Sequence, residues 1–301
     1  MGTAPTLPGT HRADSAPVRV LRHASVLGSW EMARRGPHPA LAGLIGEYCG
    51  YIEDSTVPVR RRQVAERRVV LIISFGDPIR LHTQPGVDAP GETVSFVAGL
   101  HNGPTVTEHF GIQAGVQIDL TPLGAYTLLG LPMAELADRI VPFAELADGA
   151  AGFGQELPER LACAATWDER FALLDAVWTR RLVEGPVPRP EVVRSWELLE
   201  ASRGRMGVAE LADETGWSRR HLTAHFRREV GLPPKAAARL LRFRHAVGLL
   251  GRPAPPGLAT LAEVCGYYDQ AHLNRDFRDL AGCTPTSYLA ALRPDGAGVE
   301  G

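Results

Sequence analysis

Polar and basic side chains that can hydrogen-bond to DNA recur in two stretches of this 301-residue chain. The first stretch carries four of them: Arg219, Arg220, Thr223 and Arg227. The second carries four more: Gln270, His272, Asn274 and Arg275. Arginine, amide and hydroxyl side chains hydrogen-bond to the edges of bases and to phosphates. They can do so together only if a folded element presents them on one face, so the surrounding elements decide the interpretation.

The elements that carry both stretches form an internal repeat within residues 206–289. The sequence Gly-Val-Ala-Glu-Leu-Ala-Asp-Glu-Thr-Gly at residues 207–216 returns as Gly-Leu-Ala-Thr-Leu-Ala-Glu-Val-Cys-Gly at residues 257–266. An aromatic residue follows each copy, Trp217 in the first and Tyr267 in the second. A period of about fifty residues indicates that one supersecondary unit is present twice.

Each copy has the pattern of two short helices joined by a sharp turn. In the first copy, apolar residues recur at helical spacing over 208–215, and Gly216 stands where a helix ends in a left-handed residue. Ser218 is a favourable N-cap for the next helix. Leu222 and Phe226 lie four residues apart and therefore share one buried face. The second copy repeats this arrangement, so the sequence predicts two helix-turn-helix motifs.

This pattern resembles the DNA-binding region of AraC/XylS-type transcription regulators. The shared motif is Leu-Ala-x-x-x-Gly-Trp/Tyr, followed by Ser-x-x-His-Leu-x-x-x-Phe-Arg-x-x-x-Gly-x-x-Pro. Residues 265–278 of the second copy, with Gly-Cys-Thr-Pro-Thr at 282–286, are similar to the most distinctive segment of that family. The resemblance covers residues 190–293, about a third of the chain. It implies an all-α domain of two motifs joined by a long helix, here at 235–250.

The resemblance also implies which residues face DNA. The base-facing positions are Arg220, Thr223, Ala224, Gln270, Ala271, His272 and Arg275. The phosphate-facing positions are Ser218, Arg219, Arg227 and Arg278. Arginine can bind guanine through two hydrogen bonds, glutamine can bind adenine, and threonine or alanine can contact the methyl group of thymine. His221 occupies the position equivalent to His272, and a structural role is the favoured interpretation for it.

Two unlike motifs on one chain predict an asymmetric half-site on double-stranded DNA. The motifs would occupy two successive major grooves, about 34 Å apart. If the linking helix is rigid, the DNA has to bend or one motif has to bind loosely.

The distribution of charge is consistent with a DNA-binding C-terminal region. The whole chain has a formal net charge of −2, with 45% hydrophobic and 22% charged residues. Residues 190–293 contain 15 Lys and Arg against 11 Asp and Glu, whereas the rest contains 17 against 23. The basic third is therefore joined to an acidic remainder, which suits a domain that stays away from phosphates.

The predicted fold class is α+β, with two domains. Residues 1–36 are expected to be a disordered tail, and residues 37–184 a β-rich domain, barrel-like or sandwich-like, with trailing helices. A proline-punctuated linker at 185–190 joins this domain to the double helix-turn-helix domain at 191–293. Residues 294–301 are expected to be a second disordered tail.

About seven strands and several helices are predicted before the linker. The strands are 44–52, 59–64, 68–75, 79–83, 93–100, 105–110 and 114–120, with 101–104 as a hairpin turn. The helices are 122–129, 133–140, 157–164 and 166–183, the last opened by a Thr166–Glu169 capping box. Its apolar stripe of Phe171, Leu174, Trp178 and Leu182 is expected to pack against the β-domain or a dimer partner.

Several classes of function lack their sequence signals. Four dispersed cysteines without a C-x-x-C pair, and His82, His101 and His109 without metal-ligand spacing, predict no metal and no cofactor. Phosphate-binding glycine loops, nucleophile elbows and zinc-protease helices do not occur. Without an apolar run of membrane-spanning length or a signal-peptide core, the expected location is the cytoplasm and no membrane contact is predicted.

The predicted function is a sequence-specific transcription regulator and not an enzyme. The regulator resemblance implies control by a small-molecule effector or by homodimerisation through the N-terminal domain, and contact with RNA polymerase if the protein is an activator. Two alternatives stay open. One is a DNA-repair or other enzyme that carries an AraC-type module and an activated cysteine. The other is architectural binding that depends on salt and not on sequence.

Overall fold

The computed structural model describes residues 17–25, 28–82, 86–147, 156–291 and 299–300. Within them the chain forms an N-terminal β-sheet with trailing helices, followed by a C-terminal helical region. The predicted α+β architecture is therefore confirmed. No helix in these ranges has both the length and the apolar character needed to cross a membrane.

The sheet is antiparallel throughout and is built around two long strands. Its members are β1 (Arg19–Ser25), β2 (Gly28–Arg35), β3 (Ile45–Gln63), β4 (Val69–Ser74), β5 (Ile79–His82), β6 (Glu92–Thr93), β7 (Phe96–Ala98), β8 (Thr105–Leu120), β9 (Ile140–Pro142) and β10 (Val299–Glu300). The main order is β1-β2-β3-β8-β4-β7-β9, while β5 pairs with β6 and β8, and β10 pairs with β3. Leu71 and Ile73 of β4 are fully buried, as expected for a β-branched and leucine run at the centre of a core.

Several of the helices begin at a side-chain cap or at a proline in their first turn. The helices are α1 (Pro122–Leu129), α2 (Phe143–Ala147), α3 (Leu157–Cys163), α4 (Trp167–Glu184), α5 (Pro190–Ala201), α6 (Val208–Thr215), α7 (Arg219–Val230), α8 (Pro234–Leu250), α9 (Leu258–Val264), α10 (Gln270–Ala281) and α11 (Pro285–Ala290). The Thr166–Glu169 capping box is present at the start of α4. Two 3₁₀ turns, Pro39–Leu41 and Met133–Glu135, lie between other elements.

Helix α4 covers one face of the sheet with its apolar stripe. Phe171 stacks on Tyr48 of β3 with a ring-centroid distance of 5.6 Å. Asp175 of the same helix accepts hydrogen bonds from the Tyr48 hydroxyl at 3.0 Å and from the backbone N–H of His38 at 2.8 Å. The Arg35 guanidinium also pairs with Asp175. The stripe therefore packs against the β-domain, which was one of its two predicted partners.

The prediction of a disordered N-terminal tail was wrong for residues 19–25 and 28–35. These residues form strands because they pair with other strands, and no side-chain pattern indicates it. Residues 19–25 and 28–35, assigned to a disordered tail, form β1 and β2. Every residue of β1 is exposed, so no apolar alternation marks it, and the strand exists through its register with β2. Residues 1–16 of that predicted tail lie outside the described residues. Residues 299–300, in the second predicted tail, pair with Arg62 and Arg61.

Several further elements differ from the prediction. The long strands β3 and β8 each unite two predicted strands, because they pair with each other from Ile45–Leu120 to Gln63–Thr105, with a bulge between Ser55 and Val59. Residues 101–104 do not join paired neighbours, since β7 pairs with β4 and β9. The predicted helix 133–140 stops after one 3₁₀ turn, because Asp138 adopts a left-handed φ of 57° and Ile140 begins β9.

The sheet domain contacts the helical region directly. The backbone N–H of Ala65 donates to the Leu280 carbonyl at 2.9 Å. Arg244 of α8 pairs with Glu66 at 2.8 Å. Arg67 pairs with Glu200 of α5 at 3.0 Å. Most buried apolar residues of the two regions belong to one hydrophobic cluster, and a smaller second cluster around Phe96 lies within the sheet domain.

Candidate nucleic-acid interface

The first helix-turn-helix consists of α6 and α7, positioned by capping at the turn. Gly216 ends α6 with a left-handed φ of 69°, a backbone conformation that costs glycine little. The Ser218 hydroxyl accepts the backbone N–H of His221 at 3.2 Å and caps α7. Leu222 and Phe226 are fully buried, which fixes the rotation of α7 about its axis.

The second helix-turn-helix consists of α9 and α10 and repeats this construction. Gly266 has a φ of 77° at the turn. The Asp269 carboxylate accepts the backbone N–H of His272 at 2.7 Å and caps α10. Leu273 and Phe277 are fully buried, in the same way as their counterparts in α7. The repeated residues are therefore the core and the turns of both motifs.

The predicted DNA-facing residues lie on the outer sides of α7 and α10. The exposed ones are Ser218, Arg219, Arg220, Ala224, Arg227, Gln270, Ala271, Arg275 and Arg278, and the half-buried ones are Thr223 and His272. In the described part of the chain, none of the five arginines in this set has a carboxylate partner. Their guanidinium groups are thus available to an external anion. The Ser218 hydroxyl accepts a capping hydrogen bond and still has its own O–H to donate.

The recurrent histidines pack against the recurrent aromatic residues. The His221 ring meets Trp217 edge-on at 4.5 Å between centroids, and His225 lies 4.4 Å from His221. In the second motif, His272 meets Tyr267 edge-on at 5.1 Å. Packing accounts for His221, and it restricts the orientations in which His272 can reach a base.

The three-ring group in the first motif was missed from sequence. His225 has a lowered pKa because partial desolvation disfavours its charged form and because the Arg189, His221 and Arg228 charges add to that effect. The spacing of His221 and His225, four residues apart on one helix, was the available signal.

Helix α8 is braced to α10 by ionic and aromatic contacts. The Arg239 Nε atom donates to the Asp276 Oδ1 atom at 2.7 Å, and the same guanidinium pairs with Asp279. Phe243 of α8 meets Phe277 edge-on at 5.0 Å between centroids. Sequence inspection missed the Arg239–Asp276 pair, since the two residues lie 37 positions apart. The only local indication of this pair in the sequence was that Asp276 is next to Phe277, a core residue.

The first motif is anchored through the linker and the sheet domain. The backbone N–H of Arg189 donates to Glu229 of α7 at 2.8 Å, and the Arg189 guanidinium lies 3.3 Å from the same carboxylate. The Glu229 side chain is almost completely buried, and burial raises its pKa against the opposing effect of Arg189. Helix α7 also packs against α1 and against the turn at Met133.

The three histidines considered as metal ligands in the sheet domain have separate partners. His101 bonds through Nδ1 to the Gly99 carbonyl at 2.7 Å, His82 lies 3.2 Å from Glu108, and His109 lies 3.5 Å from Glu53. No group of three or more His, Cys, Asp or Glu side chains suited to a metal occurs among the described residues.

Of the three consecutive arginines at residues 60–62 of β3, Arg61 is paired within the sheet. Arg61 forms two hydrogen bonds with Glu53, at 2.9 and 2.8 Å. Burial would raise the pKa of Glu53, but His109 and Arg61 lower it to about 2. Arg61 is therefore committed to an internal partner and is not available to an acidic ligand.

The cysteine environments bear on the enzyme alternative. Burial raises the pKa of the Cys49 and Cys283 thiols, and it raises that of Cys265 to about 11. A nucleophilic cysteine requires the opposite shift. Cys163 is exposed.

Known protein families match segments of both regions of the chain. Residues 211–291 match a family described as a helix-turn-helix domain, and residues 33–142 match a domain of unknown function (DUF6597). The first match spans both motifs, and the second runs from β2 to the end of β9. No curated protein matches the chain significantly.

Solved structures are similar to the C-terminal region. A probable AraC family transcriptional regulator from Rhodopseudomonas palustris CGA009 shares 32% identity over 35% of this chain and 100% of its own, with a TM-score of 0.32. An AraC-type transcriptional regulator from Chromobacterium violaceum shares 24% identity over 34% of this chain and 90% of its own, with a TM-score of 0.32. ToxT from Vibrio cholerae covers 82% of this chain and 98% of its own at 9% identity and a TM-score of 0.45, which is too distant to bear on function.

Proposed function

Because this chain belongs to the AraC family of transcriptional regulators, we propose that it recognises a specific, asymmetric DNA half-site. Helices α7 and α10 would enter two successive major grooves, about 34 Å apart along the DNA. The observation that carries the proposal is the set of unpaired arginines on the outer faces of both helices, at Arg219, Arg220, Arg227, Arg275 and Arg278.

The proposed base contacts follow from side-chain chemistry. Arg220 and Arg275 bind guanine, Gln270 binds adenine, and the remaining small or half-buried positions contact thymine methyl groups or adjacent edges: Thr223, Ala224, Ala271 and His272. Each two-bond contact with a base contributes about 1–3 kcal/mol of discrimination against other bases. The two motifs share a histidine at His221 and His272 but differ at the aligned pairs Arg220–Ala271, Thr223–Asn274 and Ala224–Arg275. The half-site is therefore not a direct repeat.

The proposed phosphate contacts set position and salt dependence. Ser218, Arg219, Arg227 and Arg278 lie beside the base-facing positions on the exposed sides of the motifs. Contacts of this type fix the register of a protein on DNA without selecting sequence. Each phosphate neutralised contributes a slope of roughly −0.9 to the dependence of log K on log salt concentration.

Helix α8 supports the prediction that the two motifs bind as one body. The Arg239 contacts and the Phe243–Phe277 packing fasten α10 to α8. With both motifs held on one helix, the DNA has to adapt by bending where its straight form does not fit.

The sheet domain is proposed to control this body through an effector or by forming a homodimer. It contacts α7 at the Met133 turn and the end of α10 at Ala65. A conformational change in the sheet domain would therefore displace residues that contact both motifs. If the regulator activates transcription, RNA polymerase is a further partner.

Selection of bound fragments from random double-stranded DNA tests the proposal. The wild-type chain should enrich one asymmetric motif with two conserved blocks about 10 base pairs apart. Arg220→Ala should relax preference at one base pair of one block, and Arg275→Ala at one base pair of the other. Arg194→Ala is the control, because Arg194 is an exposed arginine of the same region that pairs with Glu214.

Two results would contradict parts of the proposal. Equal enrichment of all sequences by the wild-type chain would refute specific recognition and leave architectural binding. Unchanged preferences in both Arg220→Ala and Arg275→Ala would refute the assignment of the base-facing residues.

A further inference from the structure

A groove lined by arginines lies where the sheet domain meets the helical region. Its volume is about 410 Å³. Its charged and titratable lining consists of Arg67, Glu200, Arg203, Arg244, His245 and Arg252. Arg67 comes from the loop between β3 and β4, while the others come from α5, α8 and the turns that follow them. A ligand in this groove would therefore touch both regions of the chain at once.

The groove has more arginines than carboxylates that pair with them. Arg67 pairs with Glu200 at 3.0 Å, and Arg244 pairs with Glu66 at 2.8 Å. Arg203 and Arg252 have no carboxylate partner in the described part of the chain. Two guanidinium groups are thus left over, and guanidinium is the cation best shaped to hold carboxylate or phosphate through paired hydrogen bonds.

Arg203 is held in the groove at a backbone position that does not favour arginine. Its φ is 54°, in the left-handed region just after the end of α5, where glycine is common. The Arg203 Nη1 atom donates to the Nε2 atom of His245 at 2.7 Å. An arginine kept in a disfavoured conformation with its guanidinium directed at the lining is consistent with a ligand-binding position.

His245 does not compensate the charge of its neighbours. Burial lowers its pKa, and the nearby Arg203, Arg205 and Arg252 lower it further. The neutral imidazole accepts the hydrogen bond from Arg203. An anion bound beside the imidazole would raise the pKa of His245. The His245 ring signal can therefore show whether an anion occupies the groove.

Hydrogen bonding to the terminal carbonyl groups of the helices does not account for the two arginines. The C-terminal ends of α5 and α8 carry partial negative charge near the groove. A capping arginine would donate to the terminal carbonyl groups. Among the described residues, the Arg203 side chain donates to His245, and the Arg252 side chain has no carbonyl acceptor.

We infer that this groove binds a small dianion, a phosphate group or a dicarboxylate, between Arg203 and Arg252. The bound dianion would join the turn after α5 to the turn after α8, the helix between the two DNA-binding motifs, beside the loop at Arg67. The inference rests on the proposed function for its consequence, since occupancy of the groove would regulate DNA binding.

Titration of the full-length chain without DNA tests the binding site. The probes are inorganic phosphate and succinate, with sodium chloride at equal ionic strength as the control, and the observable is the His245 ring signal in NMR spectra. Phosphate or succinate should shift the His245 signal saturably and raise its pKa. The one that saturates at the lower concentration identifies the ligand class. Sodium chloride should give no saturable shift.

Matched variants locate the site. Replacing Arg203 and Arg252 together with glutamine should weaken dianion binding by about a hundredfold, roughly tenfold for each charged hydrogen-bonding group removed. Arg194→Gln should bind as the wild type does, because Arg194 lies outside the groove and pairs with Glu214. Absence of saturable binding by either probe, or unchanged binding in the double variant, would overturn the inference.

DNA binding measured on the same preparations separates the inference from the proposed function. The dianion should change the affinity of the wild-type chain for its selected fragment and leave that of the double variant unaltered. If the double variant instead loses DNA affinity without dianion and shows a shallower salt dependence, the groove contacts the DNA backbone and the inference fails. If the wild-type chain binds dianion but selects no DNA sequence, the site stands and the proposed function fails.

Discussion

Replacing Arg239 with alanine should loosen the second DNA-binding motif from the helix that supports it. The Arg239 Nε atom lies 2.7 Å from the Asp276 Oδ1 atom, and the Asp276 side chain is 3% exposed. The substitution would therefore leave a buried carboxylate without its cation. The guanidinium also pairs with Asp279, whose side chain is 48% exposed, and an exposed pair of this kind contributes little.

The magnitude follows from the burial of the carboxylate. Removing one partner of a buried ion pair costs about 3–5 kcal/mol. Since the Arg239 side chain is itself 28% exposed, solvent screens part of the interaction, and the lower end, about 3 kcal/mol, is expected. The loss should appear in the free energy of unfolding measured with urea by circular dichroism.

A double variant distinguishes an uncompensated charge from simple loss of packing. Arg239→Met combined with Asp276→Leu replaces both charges by apolar groups of similar size, and such replacements are often neutral or stabilising. The double variant should therefore regain stability to within about 1 kcal/mol of the wild type. The matched single control is Arg194→Ala, an exposed pair with an expected cost below about 1 kcal/mol.

Two outcomes would refute this reasoning. The first is a cost of less than about 1 kcal/mol for Arg239→Ala, which would make the pair equivalent to a surface one. The second is a double variant as unstable as Arg239→Ala, which would show that packing around the side chains, and not the buried charge, holds α8 to α10.

Three further predictions concern specificity, pH and thiol reactivity. Arg220→Ala should relax preference at one base pair. Arg227→Ala should instead weaken binding to all sequences and reduce by about 1 the slope of log K against log salt concentration, as measured by fluorescence anisotropy. Identical behaviour of the two variants would contradict their assigned roles. The pKa of Glu53 falls from 4.5 to about 2 on folding. Its contribution to the free energy of unfolding is therefore complete above about pH 4.5 and is lost as the pH falls toward 2. Urea unfolding should show that Glu53→Gln loses less stability in acid than the wild type does, and equal losses would contradict the prediction. Cys163, which is exposed, should react with a thiol reagent in the native chain, whereas Cys265, with a pKa of about 11, should react only after unfolding; rapid native reaction of Cys265 would contradict its buried environment.

The helix-turn-helix motifs could be predicted from the sequence because their determinants are local. A glycine at each turn and a capping side chain at each recognition helix act within a few residues of each other. The structure shows these interactions at Gly216, Gly266, Ser218 and Asp269. The repeat added a second line of evidence, since buried leucine and phenylalanine recur at the same helical spacing in both copies.

The elements that were missed depend on partners distant in sequence. Strand β1 is exposed along its whole length, and only its pairing with β2 makes it a strand. Arg203 and Arg67 lie far apart in the chain, and only the packing of the two regions brings both to one groove. The assignment of bases to Arg220 and Arg275 stays a prediction, since it depends on a partner molecule and not on the fold.

The contacts of the sheet domain fall on the ends of the recognition helices that are turned away from the base-facing residues. Gly231, at the end of α7, lies against Met133, and Leu280, near the end of α10, accepts a hydrogen bond from Ala65. The base-facing residues occupy the N-terminal halves of both helices. Each helix has 12 residues and is therefore about 18 Å long. A small displacement at the contacted end would tilt the end that carries the proposed base-facing residues. This is the path by which we propose that the sheet domain regulates recognition.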